Sequence, residues 1–514
     1  MDFRLEWPEE IIFATRRPAN VLASFASRST GAISMMKRSG WKSACAIPLF
    51  CVATAMVSPA QVILTTLVNF DGSNGAEPGY GSLIQATDGN FYGTTAGGGA
   101  QSAGTVFTIT TEGALSTLYS FCSQIDSPGY CTDGEAPSAS LVQGVDGNFY
   151  GTTTYGGAKG VGYNSNGTIF KLSSSGKLTT LYSFCAQLNC ADGRYPYAGL
   201  IQAANGDFYG TTSQGGASSA CNSGNNVGCG TIFKITPTGT LTTLHSFDST
   251  DGAYPYGGLI QATNGQYYGT TSYGTVYKLG PNGNLKTLHT FPDTEGPFAG
   301  LLQATDGSLY GTTYTGGNGF GSVFKITESG VLTTLYSFCE PWPTCSDGSW
   351  PSAGVVQASD GNFYGTTTSG GGNYCGTVFM IDSHGDLTTL HSFNETDGKA
   401  PLGGLLQVTN GSFYGTTSGY GADYDGTLFS LNNGLGPSVK TLPTAGRIND
   451  QIEILGTQLT GATEVTFDGT PARFTVRSPS LILTHVPSGA MTGYVKVQLS
   501  GATLSTSGMF YVLQ

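Results

Sequence analysis

One short string dominates the sequence, because it returns seven times between residues 62 and 434. The string is Phe/Tyr-Tyr-Gly-Thr-Thr or a close variant, and its tyrosine is Tyr92, Tyr150, Tyr209, Tyr268, Tyr310, Tyr364 and Tyr414. Successive tyrosines lie 58, 59, 59, 42, 54 and 50 residues apart. A period in this range is typical of chains built from one supersecondary unit used many times, so the repeat determines the fold.

Each copy of the repeat contains four short runs rich in β-branched and aromatic residues, separated by turn residues, which is the pattern of β-strands. The first turn is Asp-Gly or Asn-Gly in every copy and favours a type I′ hairpin. Its first residue is Asp88, Asp146, Asn205, Asn264, Asp306, Asp360 and Asn410. No run shows the 3.6-residue period of a helix. The sequence therefore predicts a seven-bladed β-propeller with four strands per blade over residues 61–434.

The ends of the repeat region predict how the ring closes. Residues 63–70 match a fourth strand that has no first three strands before it, and the last copy ends at Leu431 without a fourth strand. We expect the first segment to complete the last blade, which removes the sheet edge that an open ring would expose.

Strand direction also predicts which connections share a side of the disc. The Asp/Asn-Gly turns and the turns before each fourth strand lie together on one side, the turn face. The connections after the second and fourth strands lie on the other side, the loop face, and these vary most in length. Variable loops on a rigid scaffold commonly carry function, so we expect binding at the loop face.

The repeat stops near residue 434, and shorter alternating runs follow, such as Gln451-Ile-Glu-Ile-Leu and Tyr494-Val-Lys-Val-Gln-Leu. Residues 435–514 are therefore predicted to form an immunoglobulin-like β-sandwich. The predicted fold class is all-β throughout.

The N-terminal region predicts export. Basic residues between 37 and 42 precede an apolar run at 44–57, and Ser58-Pro59-Ala60 supplies the small residues of a signal-peptide cleavage site. The apolar run is shorter than the roughly 20 residues of a membrane-spanning helix, so a signal peptide at 36–60 is favoured over an anchor. We expect a secreted or cell-surface protein with no membrane span in the mature chain.

Residues 1–35 have no periodic pattern. We therefore interpret them as a leader without structure or as the product of a misassigned start, with translation beginning at Met35 or Met36.

Eleven cysteines are present, and eight of them are close in sequence as four pairs: Cys122/Cys131, Cys185/Cys190, Cys221/Cys229 and Cys339/Cys345. Zinc sites would need interleaved histidines or paired Cys-x-x-Cys motifs, which do not occur, so local disulfides are favoured. Cys375 has no nearby cysteine partner in the sequence.

Charge excludes some classes of partner. Residues 61–434 carry 25 Asp/Glu and nine Lys/Arg, so this region repels phosphate backbones and we expect no nucleic-acid partner. Its single arginine, Arg194, also excludes sialidase-type chemistry, which clamps a carboxylate with several arginines.

Two parts of the chain resemble known families. Asp-Gly-Asn-Phe-Tyr-Gly-Thr-Thr and Gly-Thr-Val-Phe-Lys-Ile, with their variants over residues 62–434, resemble the Gloeo_Verruco (GloVer) tandem repeat of exported bacterial proteins. Residues 437–513 resemble an IPT/TIG domain, with matches at Ile454-Leu-Gly456, 462–469 and 510–512. The first resemblance implies export and assigns no activity, and the second implies a spacer or adhesion module.

The histidines predict no catalytic site. His245, His289 and His391 occupy one equivalent fourth-strand position, where other blades mostly have tyrosine, so we expect them to pack within blades. No Ser/His/Asp or Cys/His arrangement can be assembled from the five histidines. Asp423 and Asp425 are weak calcium candidates, with a plain turn favoured, and no other cofactor is predicted.

Aromatic residues are concentrated in the predicted loop-face connections. Tyr195, Tyr197, Tyr254 and Tyr256 are among them. Within the recurring Asp-Gly-x-x-Pro segments, where Tyr195 and Tyr254 lie, packing of loops over blade ends is favoured. The residues selected as ligand candidates are Tyr155, Tyr163, Trp342, Trp350, Tyr374 and Tyr424.

These features lead to three functional hypotheses. The first is a monomeric, non-enzymatic module that binds an extracellular glycan or a surface protein through the loop face. The second is a hydrolase or lyase acting on polysaccharide, with paired carboxylates such as Asp423 and Asp425. The third is a purely structural cell-surface protein.

Overall fold

The computed structural model describes residues 62–126, 129–158, 166–203, 205–222, 228–292, 296–340 and 342–513. The leader and the signal peptide predicted for residues 1–60 lie outside this part of the chain, as does Tyr163. The described residues form β-strands joined by turns, with two short 3₁₀ turns at Leu188–Cys190 and Leu459–Gly461. None of the described helical segments has the length and apolar character needed to cross a membrane.

Seven antiparallel four-stranded sheets form the blades. β1 (Ile63–Asn69) precedes blade 1, which is β2 (Ile84–Gln85), β3 (Phe91–Thr95), β4 (Thr105–Ile109) and β5 (Leu115–Ser120). Blade 2 is β6 (Val142–Gln143), β7 (Phe149–Thr153), β8 (Thr168–Leu172) and β9 (Leu178–Ser183). Blade 3 is β10 (Ile201–Gln202), β11 (Phe208–Thr212), β12 (Thr231–Ile235) and β13 (Leu241–Ser246).

The remaining blades follow the same order. Blade 4 is β14 (Ile260–Gln261), β15 (Tyr267–Thr271), β16 (Thr275–Leu279) and β17 (Leu285–Thr290). Blade 5 is β18 (Leu302–Gln303), β19 (Leu309–Thr313), β20 (Ser322–Ile326) and β21 (Leu332–Ser337). Blade 6 is β22 (Val356–Gln357), β23 (Phe363–Thr367), β24 (Thr377–Ile381) and β25 (Leu387–Ser392). Blade 7 is β26 (Leu406–Gln407), β27 (Phe413–Thr417), β28 (Thr427–Asn432) and β1.

The prediction that residues 63–70 complete the last blade is confirmed. β1 pairs antiparallel with β28, from Ile63 opposite Asn432 to Asn69 opposite Thr427. Blade 7 also packs on blade 1, where the rings of Phe91 and Tyr414 lie 4.5 Å apart. The first and last blades are therefore neighbours in a ring.

Contacts between neighbouring blades explain why the repeated string has two aromatic residues. The first two residues of each second strand are buried on opposite faces of the sheet. At six of the seven junctions the tyrosine of one blade packs on the first ring of the next, and at the junction of blades 4 and 5 the residue in that position is Leu309. Ring centroids are 4.1 Å apart for Tyr92 and Phe149 and 4.0 Å for Tyr150 and Phe208. Such pairs add about 0.5–1.5 kcal/mol beyond the burial of their area.

The glycine of the string makes room for a neighbouring ring. A Cβ on Gly93 would lie 2.6 Å from Cζ of Phe107, which is buried on the adjacent strand. A larger residue would therefore displace a core aromatic ring.

Glutamines at the ends of the innermost strands link blades around the channel. Oε1 of Gln143 accepts from the backbone N–H of Thr87 in the preceding blade at 3.0 Å, and Oε1 of Gln357 accepts from Thr305 at 2.9 Å. The same bond, from the N–H of Thr409 to Gln85 at 3.3 Å, joins the last blade to the first. Each bond satisfies a backbone donor near the axis.

The C-terminal residues form a sandwich of two four-stranded sheets. One sheet contains β29 (Lys440–Leu442), β31 (Gln451–Leu455), β35 (Leu481–His485) and β34 (Phe474–Ser478). The other contains β33 (Thr470–Ala472), β32 (Ala462–Phe467), β36 (Val495–Leu499) and β37 (Ala502–Ser505). β30 (Ala445–Arg447) pairs in parallel with β38 (Tyr511–Leu513).

The sandwich contacts the turn face at blade 7. The backbone N–H of Ser438 donates to the carbonyl oxygen of Thr409 at 2.9 Å. Lys440 donates from Nζ to the carbonyl oxygen of Gln407, which ends an innermost strand. Burial lowers the pKa of Lys440 to about 8. These contacts lie on the side of the disc opposite the variable loops.

Candidate ligand-binding face

Pairs of fourth-strand and loop side chains fix the connections of the loop face. The hydroxyl of Tyr119 donates to Asp133 at 2.7 Å, and that of Tyr182 donates to Asp192 at 2.8 Å. His391 occupies the same position and hydrogen-bonds Asp397 at 3.0 Å. The equivalent pair in blade 3 is His245 with Asp251, at 2.6 Å. These contacts agree with the interpretation of the histidines as part of the blades.

Disulfides close the connections that follow three of these fourth strands. Cys122–Cys131, Cys185–Cys190 and Cys339–Cys345 lie in connections after β5, β9 and β21. The residue three positions after the first cysteine is exposed in each loop, as Ile125, Leu188 or Trp342. The fourth predicted pair, Cys221–Cys229, is also a disulfide. Among the described cysteines, Cys375 is free, and it is buried.

A continuous row of aromatic rings crosses the loop face. Tyr195 contacts Tyr155 with ring centroids 5.6 Å apart, and the Tyr155 hydroxyl lies 3.4 Å from that of Tyr197. From Tyr197 the row continues through Tyr256, Phe298, Tyr314, Trp350, Phe320 and Trp342. The centroids of successive rings in this order lie 5.0, 5.6, 5.3, 6.3, 6.0 and 5.3 Å apart. We call this set the aromatic row: Tyr195, Tyr155, Tyr197, Tyr256, Phe298, Tyr314, Trp350, Phe320 and Trp342.

The centre of the row comes from one position in three successive repeats. Tyr197, Tyr256 and Phe298 each follow the proline that leads into an innermost strand, so they lie at the mouth of the channel. The other four repeats have Gly79, Ser138, Ser352 and Leu402 there. The row is therefore an asymmetric feature of the disc, and the common blade geometry alone does not require it.

The outer end of the row is a ladder of nearly parallel rings. Tyr314 and Trp350 are inclined by 25°, Trp350 and Phe320 by 31°, and Phe320 and Trp342 by 32°. Trp342 is 70% exposed at the tip of its disulfide loop. Asn318 donates to Glu340 at 2.8 Å and joins the two loops that carry this ladder. Trp342 therefore presents one ring face to solvent from a braced loop.

Tyrosine hydroxyls cluster at the channel mouth. Burial, followed by the neighbouring Tyr254 and Tyr155, raises the pKa of Tyr256 to about 12. Burial, followed by Glu77 and Tyr155, raises the pKa of Tyr80. The pKa of Tyr197 is raised mainly by burial and then by Tyr155. Tyr80, Tyr197 and Tyr256 therefore stay protonated near neutral pH and offer hydrogen-bond donors next to apolar ring surface.

Charge differs between the two faces of the propeller. The described loop-face connections contain fourteen carboxylates and two basic residues, Arg194 and Lys399. The turns of the turn face and the strand residues next to them contain nine carboxylates and six lysines. On the turn face, Lys171 pairs with Asp146 and Lys325 with Asp306, each at 2.7 Å. Most of the negative charge of the propeller therefore lies on the face that carries the aromatic row.

Comparison with family models identifies the repeat. The model described as the Gloeobacter/Verrucomicrobia repeat matches residues 56–274 and 271–470. The chain belongs to the Gloeobacter/Verrucomicrobia repeat family. The IPT/TIG domain model matches residues 437–512. No curated protein matches the sequence.

Solved structures similar to this repeat protein have low sequence identity to it. A streptogramin B lyase is 17% identical, with a TM-score of 0.50 over 72% of this chain and 97% of the lyase chain. A luciferin-regenerating enzyme is 11% identical, with a TM-score of 0.38 over 73% of this chain and 96% of its own. A puromycin hydrolase is 13% identical, with a TM-score of 0.41 over 67% of this chain and 50% of the hydrolase chain. The likeness to the lyase supports the propeller fold and extends no further.

The structure of this Gloeobacter/Verrucomicrobia repeat protein brings some of the predicted ligand residues together. Tyr155, Trp350 and Trp342 belong to the aromatic row. Tyr374 and Tyr424 lie on separate connections of blades 6 and 7, where they are 61% and 73% exposed.

Sequence reasoning missed other members of the row. The sequence pattern does not point to Phe298, Tyr314 or Phe320, and it places Tyr197 and Tyr256 on the loop face without marking them as ligand candidates. Both tyrosines do pack against neighbouring rings, and they also connect the two ends of the row. The available signal was an aromatic residue after the same proline in three consecutive repeats.

Asp423 and Asp425, the weak calcium candidates, lie on the loop-face connection of blade 7. The pKa of Asp425 is raised by burial and then by the negative charges of Asp423 and Asp71. Asp71 accepts hydrogen bonds from the backbone N–H groups of Ser73 and Asn74, at 2.9 and 3.0 Å. These bonds agree with a turn in which Asp71 caps its own backbone, and calcium binding stays a prediction.

Proposed function

We propose that this protein is exported and binds a glycan, without catalysis, through the aromatic row of its loop face. The observation that carries the proposal is the unbroken series of contacts among nine aromatic residues, seven between rings and one between the hydroxyls of Tyr155 and Tyr197, across the connections that follow strands of blades 2 to 5. A row of this kind offers apolar ring faces to the C–H faces of sugars, while nearby hydroxyls and amides bond the sugar hydroxyls.

The rigidity of the row supports this proposal. Trp342 lies on a disulfide-closed loop, and the central rings lie next to prolines that enter buried strands. Groups that are already ordered lose less conformational entropy when a ligand binds. A flexible sugar chain therefore meets a surface that needs little reorganisation.

The disulfides favour export. Four disulfides are typical of proteins that fold in an oxidising compartment. We propose a secreted or cell-surface protein, in which the sandwich acts as a spacer on the turn side.

The test is binding of the whole chain to a panel of immobilised glycans, with substitutions inside and outside the row. Trp342→Ala and Tyr256→Ala should each weaken binding about tenfold or more, a loss of about 1.4 kcal/mol. Tyr273→Ala is the matched control, because Tyr273 is exposed on the same face and contacts Tyr254 outside the row. Absence of binding to every glycan, or an equal loss in the control, would show that the row is not a glycan site.

The same experiment examines the enzymatic alternative. A glycan that binds should be recovered intact after prolonged incubation with the protein. Release of shorter products that disappears in Asp423→Asn or Asp425→Asn would instead assign hydrolase or lyase activity to this face.

A further inference from the structure

We infer that the glycan held by the aromatic row is cationic, an amino-sugar chain with free amino groups. This inference rests on the proposed glycan-binding function and specifies its substrate class. It is carried by two features that share one face: the row of rings and the excess of carboxylates around it.

The carboxylates lie near both ends of the row. Glu77 lies three residues before Tyr80, whose pKa is raised by burial and then by Glu77 and Tyr155. Glu135 forms a two-way backbone bridge with Tyr155, at 2.9 and 3.0 Å. At the outer end, Glu340 lies two residues before Trp342 in the same disulfide loop. A sugar chain along the row would pass carboxylates at each end.

Carboxylates outnumber basic residues on this face. The described loop-face connections contain fourteen carboxylates, and only Arg194 and Lys399 are basic. Two of the carboxylates, Asp251 and Asp397, contact histidines. Others lie close together, since the pKa of Asp425 is raised by burial and then by the negative charges of Asp423 and Asp71. The loop face therefore attracts cations more strongly than the turn face.

An ammonium group on a sugar fits both features. The face of a Trp or Tyr ring attracts a cation by about 0.5–1 kcal/mol at an exposed site. Carboxylates nearby add Coulomb attraction and speed encounter with a positively charged chain. A uronic acid or sulfated glycan would be repelled by the same carboxylates. A neutral glycan would use the rings and the nearby hydrogen-bonding groups but would gain nothing from the carboxylate charge.

Three soluble hexasaccharides test the inference with the whole chain: a glucosamine hexamer, its fully N-acetylated counterpart, and a hexamer of uronic acid. The first two share one backbone and differ in charge. At about pH 5.5, where exposed carboxylates and sugar amines are charged, the glucosamine hexamer should bind at least tenfold tighter than the acetylated one. The uronic acid hexamer should bind weakest. This advantage should shrink as salt is raised, since surface charges are screened.

Matched charge variants localise the effect. Glu77→Gln with Glu340→Gln on the loop face should reduce the preference for free amines severalfold. Glu112→Gln with Asp386→Asn, both exposed on the turn face, should leave the preference unchanged. Equal binding of the two hexamers, a preference indifferent to salt, or equal effects of both double variants would overturn the inference while leaving glycan binding intact. Failure of all three hexasaccharides to bind would also overturn the inference, whereas the glycan-binding proposal falls only if the whole glycan panel fails to bind.

Discussion

The hydroxyl of Tyr92 donates a hydrogen bond to Oδ2 of Asp88 at 2.7 Å and ties the first hairpin turn of blade 1 to its buried second strand. Tyr150 with Asp146 and Tyr364 with Asp360 repeat the bond, each at 2.8 Å. The tyrosine of the repeated Phe-Tyr-Gly-Thr-Thr segment therefore makes two kinds of contact. Its ring packs between blades, and its hydroxyl hydrogen-bonds the turn.

Removing one of these hydroxyls should weaken the fold. Tyr364→Phe keeps the ring that packs on Phe413 but leaves Asp360 without the Tyr364 donor. We expect unfolding by urea to show a loss of about 1–2 kcal/mol. Tyr374→Phe, on an exposed ring, is the control and should leave stability unchanged. Equal midpoints for Tyr364→Phe and the unsubstituted protein would show that the turn bond contributes nothing.

Acid should release the turn of blade 2. Partial burial opposes ionisation of Asp146, but hydrogen bonds from Lys171, Asn148 and Tyr150 outweigh it and hold its pKa at about 2, below the ordinary 3.8. A lowered pKa in the folded state means that the stabilisation is complete above pH 3.8 and is lost as the pH falls towards 2.

The measurement is unfolding by urea across that pH range. Asp146→Asn should flatten the decline between pH 3.8 and 2 relative to the unsubstituted protein. The control is Asp207→Asn on the equivalent turn of blade 3. Identical slopes for Asp146→Asn and the unsubstituted chain would contradict the role assigned to the Asp146 carboxylate.

How much of this architecture can be predicted from sequence depends on the range of the contacts. Each blade is specified by turn dipeptides and strand runs within about 50 residues, and the unpaired strand at residues 63–70 implies its partner at the other end. The aspartate and tyrosine of each turn bond are four residues apart, so their contact is local.

The aromatic row could not be derived in the same way. Tyr197 and Tyr256 are 59 residues apart, and their contact depends on the angle between blades and on the position of each loop above the channel. Recurrence of tyrosine in these segments correctly suggests packing, but it does not reveal that the packed rings form one continuous surface. That surface depends on the geometry of the whole ring.

The stability of the chain should depend on pH through Lys440, which lies where the sandwich contacts the propeller. Burial lowers its pKa from 10.5 to about 8, so the folded state favours the neutral amine. The resulting penalty, on the order of 3 kcal/mol, is present below pH 8 and disappears as the pH rises towards 10.5. Lys440→Met should therefore stabilise the chain at neutral pH, and this gain should shrink by about pH 9.5. Thermal unfolding at both pH values measures the difference, and Lys496→Met on an exposed sandwich position is the control.

The disulfide at Cys339–Cys345 should matter for ligand binding as well as stability. It closes the loop that presents Trp342, and opening it frees the tip to sample conformations in which Trp342 leaves Phe320. Cys339→Ser with Cys345→Ser should lower the unfolding free energy by about 2–3 kcal/mol and weaken glycan binding severalfold, because the ring must be ordered again on binding. The Cys221–Cys229 disulfide closes a loop that carries no residue of the aromatic row. Cys221→Ser with Cys229→Ser should therefore reduce stability without weakening glycan binding. If both double variants bound the glycan equally well, the braced position of Trp342 would have no part in recognition.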